Sequence, residues 1–202
     1  AGRRAGAARD REDPVGRAGV DPVDRAREDP AERARAICLR LLAVRPRTRG
    51  ELETALRRHG IPDEVATEVL DRYGEVGMVD DAAFARAWVS SRHHGRGLAR
   101  RALAGELRRR GVADEAVGEA LAQVDADTEA ETARTLVRRR LRTAGGPPEA
   151  MVRRLVGMLA RKGYPPGLAF RVVKEVLAED ERTAHVADQL DPDALAGDAD
   201  LD

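Results

Sequence analysis

The 202 residues carry 36 basic and 36 acidic side chains, and only five are aromatic. So few rings leave core filling to Leu, Val and Ala, and a chain rich in Ala, Leu, Arg and Glu without β-branched runs favours helices. The single cysteine, Cys38, excludes an intrachain disulfide, and no apolar run approaches the roughly 20 residues of a bilayer span.

The zero net charge hides a division along the chain. Residues 31–178 hold 28 basic and 20 acidic side chains, whereas 179–202 hold one basic and nine acidic. A basic body with an acidic tail predicts an anionic partner, most commonly nucleic acid. The N-terminus is charged from Arg3 onward and lacks the apolar segment of a signal peptide, so a cytoplasmic location is expected.

Residues 1–30 mix charges with Pro14, Pro22 and Pro30 without apolar periodicity, which predicts disorder. From Ala31 onward, Ile37, Leu41 and Val44 fall at helical spacing until Pro46. Thr48 to Glu51 has the form of a capping box opening a second helix with Leu52 and Leu56, closed by Gly60. Pro62-Asp63-Glu64 begins a third helix, with Val65, Val69 and Tyr73 on its inner face. Asp80 and Asp81 are N-cap residues for a helix whose Phe84 and Trp88, four apart, are expected to share a core. His93 to Gly97 reads as a loop, after which Leu103 and Leu107 face inward on a basic helix ending at Gly111. A helix with Leu136, Val137 and Leu141 follows over 127–142, then a Gly-Gly-Pro-Pro loop and a helix with Val152, Leu155, Val156 and Leu159. Beyond Leu177 a short helical extension around 180–190 leads into an acidic, disordered tail.

One phrase is written three times. Leu56 to Ile61, Leu107 to Val112 and Leu159 to Tyr164 each place a leucine, basic residues, a glycine and an apolar residue in order. Gly60, Gly111 and Gly163 lie 51 and 52 residues apart, a repeat period. The predicted fold is therefore all-α: an elongated array of three three-helix repeats at 31–78, 80–124 and 127–178, flanked by tails 1–30 and 179–202. With so few large apolar residues, each repeat is expected to gain missing burial by stacking on its neighbour.

Gly77-Met78-Val79-Asp80-Asp81, Phe84, Trp88, Ser91-Arg92, the Gly95-Arg96-Gly97 loop, Arg100-Arg101 and Leu107 before Gly111 together resemble the RecX family. The resemblance spans about 33–178, most strongly 75–112. It implies tandem three-helix repeats and a regulator that lies in the groove of the RecA filament on single-stranded DNA. Such regulators block or disassemble the filament, lowering its ATPase, strand-exchange and co-protease activities. One departure stands out: where the family often has Gly-Pro before the paired arginines, this chain has Leu98-Ala99. By this reading Arg92, Arg96, Arg100 and Arg101 contact the anionic groove, supported by Arg108, Arg109, Arg110, Arg138, Arg139 and Arg140.

Nothing points to catalysis. There is no phosphate-cradling Gly-rich loop ending in Lys-Ser/Thr. His93 and His94 are adjacent, so on a helix they diverge by about 100° and suit a solvated loop or an anion better than one metal ion. Cys38 sits on an apolar helical face without a recognisable base. No enzyme activity, metal or cofactor is expected, and a monomer is. Without base-reading side chains, binding to single-stranded DNA should be backbone-directed, weak and salt-sensitive. Two alternatives remain open at this level: a stand-alone DNA-binding module and a helical-repeat interaction scaffold.

Overall fold

The computed structural model describes residues 29–143, 145–180 and 183–188, so most of both expected tails lies outside the described residues. These residues form ten helices and no strand. The first repeat comprises α1 (Pro30–Leu42), α2 (Arg49–Arg58) and α3 (Asp63–Glu75). The second comprises α4 (Asp81–Arg96), α5 (Arg100–Arg109) and α6 (Asp114–Leu121). The third comprises α7 (Ala126–Leu141), α8 (Pro148–Arg161) and α9 (Pro166–Glu179), with the short α10 (Ala184–Asp188) after it.

The first helix of every repeat starts on an aspartate. Asp29, Asp80 and Asp125 accept from the amides of Ala31, Ala83 and Thr128 at 3.0, 2.8 and 2.7 Å, satisfying donors that a helix start leaves orphaned. The Thr128 amide also holds the Asp125 carboxyl below its ordinary range. Thr48 caps α2 through the Glu51 amide at 3.1 Å, but the reciprocal arm of the expected box is absent. Glu51 turns instead to Arg45 and Arg110, which offer it charge-assisted bonds.

The recurring phrase has one structural cause. Gly60, Gly111 and Gly163 all adopt positive φ. The following amide, of Ile61, Val112 or Tyr164, then donates back to the carbonyl of Leu56, Leu107 or Leu159 at 3.1, 3.2 and 3.2 Å. That is the Schellman closure, whose accompanying apolar contact pairs the leucine with the residue after the glycine. All three leucines are fully buried.

Each repeat encloses its own core. Leu52, Leu56, Val69 and Leu70 centre the first, Val89, Leu103, Leu107 and Val117 the second, and Leu155, Leu159, Val172 and Leu177 the third. Among the described buried apolar residues only Ala99 crosses, entering the third core from the second repeat. The expected sharing of apolar burial between neighbours is thus replaced by small polar joints.

Both joints follow one plan. At the first, the Thr48 hydroxyl donates to the Arg110 carbonyl, and the Arg49 amide donates to Asp81 at 2.8 Å. Burial raises the Asp81 carboxyl above its ordinary range, and the Arg49 amide opposes that shift. At the second, the Ala99 amide donates to the Lys162 carbonyl at 2.9 Å, and the Arg100 amide to Glu129 at 2.7 Å. In each case the start of one repeat's second helix meets two groups of the next repeat: the carbonyl before its closing glycine and a carboxylate on its first helix. The glycine allows the approach. A Cβ on Gly111 would lie 2.9 Å from the Gly50 Cα, and one on Gly163 would lie 2.6 Å from the Ala102 Cβ.

Candidate nucleic-acid interface at the second joint

The helix α4 runs one turn further than the sequence suggests. His93 and His94 belong to it, and Gly97, at φ +62°, reverses the chain. A Cβ on Gly97 would lie 2.8 Å from a Leu136 methyl, so the turn is pressed against α7. His93 is not solvated as expected but 1% exposed. Its Nδ1 lies 2.9 Å from the Leu98 carbonyl and its Nε2 lies 3.0 Å from the Thr132 hydroxyl, so the ring pins the turn to the third repeat. Tyr164 adds a hydroxyl bond to the Gly97 carbonyl at 3.1 Å, and burial raises its phenol well above the ordinary range.

Two grooves flank this turn and meet at Leu98. One, of about 580 Å³, brings together Arg96, Arg139 and Lys162. The other, of about 540 Å³, brings together Arg101, Arg109 and Arg161. All five arginines are exposed, and among the described residues none has a carboxylate partner. The acids beside them are already engaged: Glu131 holds Arg134 and Arg138, and Glu106 accepts from the Trp88 indole at 2.7 Å. Uncompensated like charges held this close create a positive potential that a polyanion would relieve.

The other arginines expected at the interface are placed differently. Arg92 and Arg110 lie over the Trp88 ring at 4.3 and 3.9 Å from its centroid, and Arg110 also reaches Glu51 across the first joint. Phe84 stacks on Trp88 at 5.6 Å; both rings are half-buried, while Ala85 and Val89 supply the buried face. Arg108 pairs with Asp114 at 2.6 Å, and Arg138 binds both oxygens of Glu179 at 3.1 and 3.2 Å. Arg100 and Arg140 are exposed without a side-chain partner among the described residues.

Arg161 and Lys162 are not among the contact residues expected from the sequence, yet they complete the two grooves. The signal was present: Arg161-Lys162-Gly163 is the third copy of Arg109-Arg110-Gly111. Among the described residues no cluster of His, Cys, Asp and Glu suits a metal ion, and no helix is long and apolar enough to cross a membrane. Cys38 is fully buried, and desolvation pushes its thiol up to about 11.

Fold and site together define a tandem array of three-helix domains with a cationic joint between the second and third. Family models for the first, second and third three-helix domains of RecX match residues 34–72, 80–121 and 127–173 in turn. The chain belongs to the RecX family. It is 64% identical over 144 residues to the regulatory protein RecX of Thermobifida fusca, covering 71% of this chain and 78% of the relative. To the Streptomyces coelicolor regulatory protein RecX it is 58% identical over 157 residues, covering 77% and 84%. The crystal structure of RecX from Lactobacillus salivarius has the same fold, with a TM-score of 0.65 at 19% identity, covering 73% of this chain and 97% of that one.

Proposed function

We propose that this chain is a cytoplasmic, non-enzymatic regulator that binds the RecA recombinase filament on single-stranded DNA. By this reading it inhibits the filament's ATPase, strand-exchange and co-protease activities, and so tempers DNA repair and the SOS response. The observation that carries the proposal is the pair of grooves at the second joint, where Arg96, Arg139, Arg101, Arg109 and Arg161 converge without internal partners. Relatives at 64% and 58% identity bear the name regulatory protein, which favours a modulator over an enzyme. The three units, 31–78, 80–124 and 127–178, act as successive contacts along the filament, with a single chain sufficient. Arginine forks and fixed joints suit phosphates at defined spacing, and an array laid across adjacent protomers hinders their cooperative rearrangement. Arg100 and Arg140 extend the same cationic flank, while Arg92, Arg108, Arg110 and Arg138 act through the architecture that holds it.

The test is a titration of the chain into recombinase hydrolysing ATP on single-stranded DNA, beside an Arg101→Ala, Arg109→Ala, Arg161→Ala variant. The wild type should suppress turnover, and the variant should require about tenfold more protein or worse. On bare single strands the variant's salt slope should fall by about 2, three phosphate contacts at roughly 0.7 each. Turnover untouched by the wild type at physiological salt, or equal potency of the two proteins, refutes the proposal.

A further inference from the structure

The first joint differs in character from the second. A groove of about 500 Å³ opens there, walled by Leu42, Pro46, Met78, Phe84, Ala87 and Trp88. The large hydrophobic side chains that stand exposed among the described residues are Leu39, Val44, Val76 and Met78, at 49, 77, 54 and 44%, and all four belong to the first repeat or its exit. Of these Met78 lines the groove, beside the half-buried Phe84 and Trp88, and apolar surface gathered in a groove marks a contact site. Arg45, Arg47 and Asp80 also line the groove, and the Asp80 carboxylate is engaged by the Ala83 amide. Arg45 is held by Glu51, but the Arg47 Nε is buried and meets no acceptor among the described residues. A buried cationic donor without a partner costs free energy until an acceptor arrives.

We infer that this groove is the protein-docking half of the molecule. It takes an apolar segment of the recombinase protomer that offers a large aliphatic or aromatic side chain beside a carboxylate. The apolar anchor enters between Met78 and Trp88, and the carboxylate meets Arg47. The division of labour is then polar along the array: protein at the first joint, phosphate backbone at the second. This rests on the reading that the chain acts on a recombinase-coated strand, and it assigns the protein contact within that reading.

Ala87 is exposed on α4 and lines the groove, so it offers a clean probe. Ala87→Arg and Ala87→Glu both fill the groove while changing charge in opposite directions. Each should weaken binding to recombinase-coated oligo(dT) by at least about tenfold while keeping the helical circular dichroism of the wild type. Bare oligo(dT) affinity should change little, and in opposite senses for the two. Arg47→Met should weaken binding to the coated strand several-fold without lowering thermal stability, since no internal bond to its Nε is lost. Coated-strand binding equal to wild type in all three variants overturns the inference. So does loss of bare-strand affinity by the same factor in both Ala87 variants. A wild-type dimer in sedimentation that Ala87→Arg converts to monomer would assign the groove to a second copy of this chain and also overturn it. If the wild type binds bare but not coated strands, the proposed function itself fails, and the wild-type arm alone reveals that.

Discussion

The three closing glycines are equivalent in backbone but not in surroundings, which allows strain and joint packing to be separated. Replacing Gly60 with Ala imposes only the cost of a Cβ in the left-handed region, because nothing lies within 4 Å of the added carbon. That cost is about 1 kcal/mol. Gly163→Ala carries the same penalty and adds a carbon 2.6 Å from the Ala102 Cβ and 2.8 Å from its backbone nitrogen. Backbone cannot rotate aside as a side-chain tip can, so overpacking adds about 1–3 kcal/mol and the total reaches roughly 2–4. The relief route is to open the joint, which would break the Ala99–Lys162 and Tyr164–Gly97 hydrogen bonds. Urea unfolding followed by circular dichroism measures the stability difference, and oligo(dT) affinity measures the joint. Gly60→Ala should leave affinity unchanged, whereas Gly163→Ala should reduce it by pulling Arg161 away from Arg101 and Arg109. Equal destabilisation by the two substitutions would refute the reasoning, because the joint would then contribute nothing.

Further outcomes follow from the side chains around these joints. Cys38 ionises at about 11 in the fold against its ordinary 9.0, so its proton is held more tightly by the folded chain. The thiol should leave stability unchanged below pH 9 and lower it through pH 9–11 by about 2–3 kcal/mol; Cys38→Ala should remove that share of the slope and leave the part due to Tyr164, whose phenol burial also raises. A wild-type slope unchanged by the substitution would disprove the assignment. Arg110→Ala, losing its place over Trp88 and its bond to Glu51, should cost about 1–2 kcal/mol while DNA affinity stays within about twofold. Arg109→Ala should do the reverse, and matching behaviour of the pair would contradict the partition of arginines. His93→Ala, emptying a site bonded to Leu98 and Thr132, should cost about 2 kcal/mol in chemical denaturation; a loss below about 0.5 would show the ring is no strut.

Local chemistry was readable wherever cause and effect lie within a few residues. Asp80 caps α4 because its acceptor reaches an amide three positions on, and Gly60, Gly111 and Gly163 announce three helix ends by the same short-range closure. The joints were not readable, because Thr48 meets Arg110 and Arg100 meets Glu129 across distances in sequence that no periodicity encodes. His93 illustrates the limit: beside Gly95 and Gly97 it resembles loop sequence, and only the arrival of α7 turns it inward. Charge counting pointed to a basic region but could not sort its arginines by the partners they meet. Arg92 over Trp88 had a visible signal in its four-residue spacing, whereas Arg110 over the same ring had none.

The polar joints also give the array a direction. At each joint the preceding repeat supplies donors from the N-cap and first residue of its second helix: the Thr48 hydroxyl with the Arg49 amide, then the Ala99 and Arg100 amides. The corresponding positions of the last repeat are Pro147 and Pro148, which possess neither an N–H nor a hydroxyl. A fourth unit of the same kind would find nothing there to grip. A polar coupling of this kind is thereby confined to the second helices of the first two repeats, and the third repeat presents a donor-free start in its place.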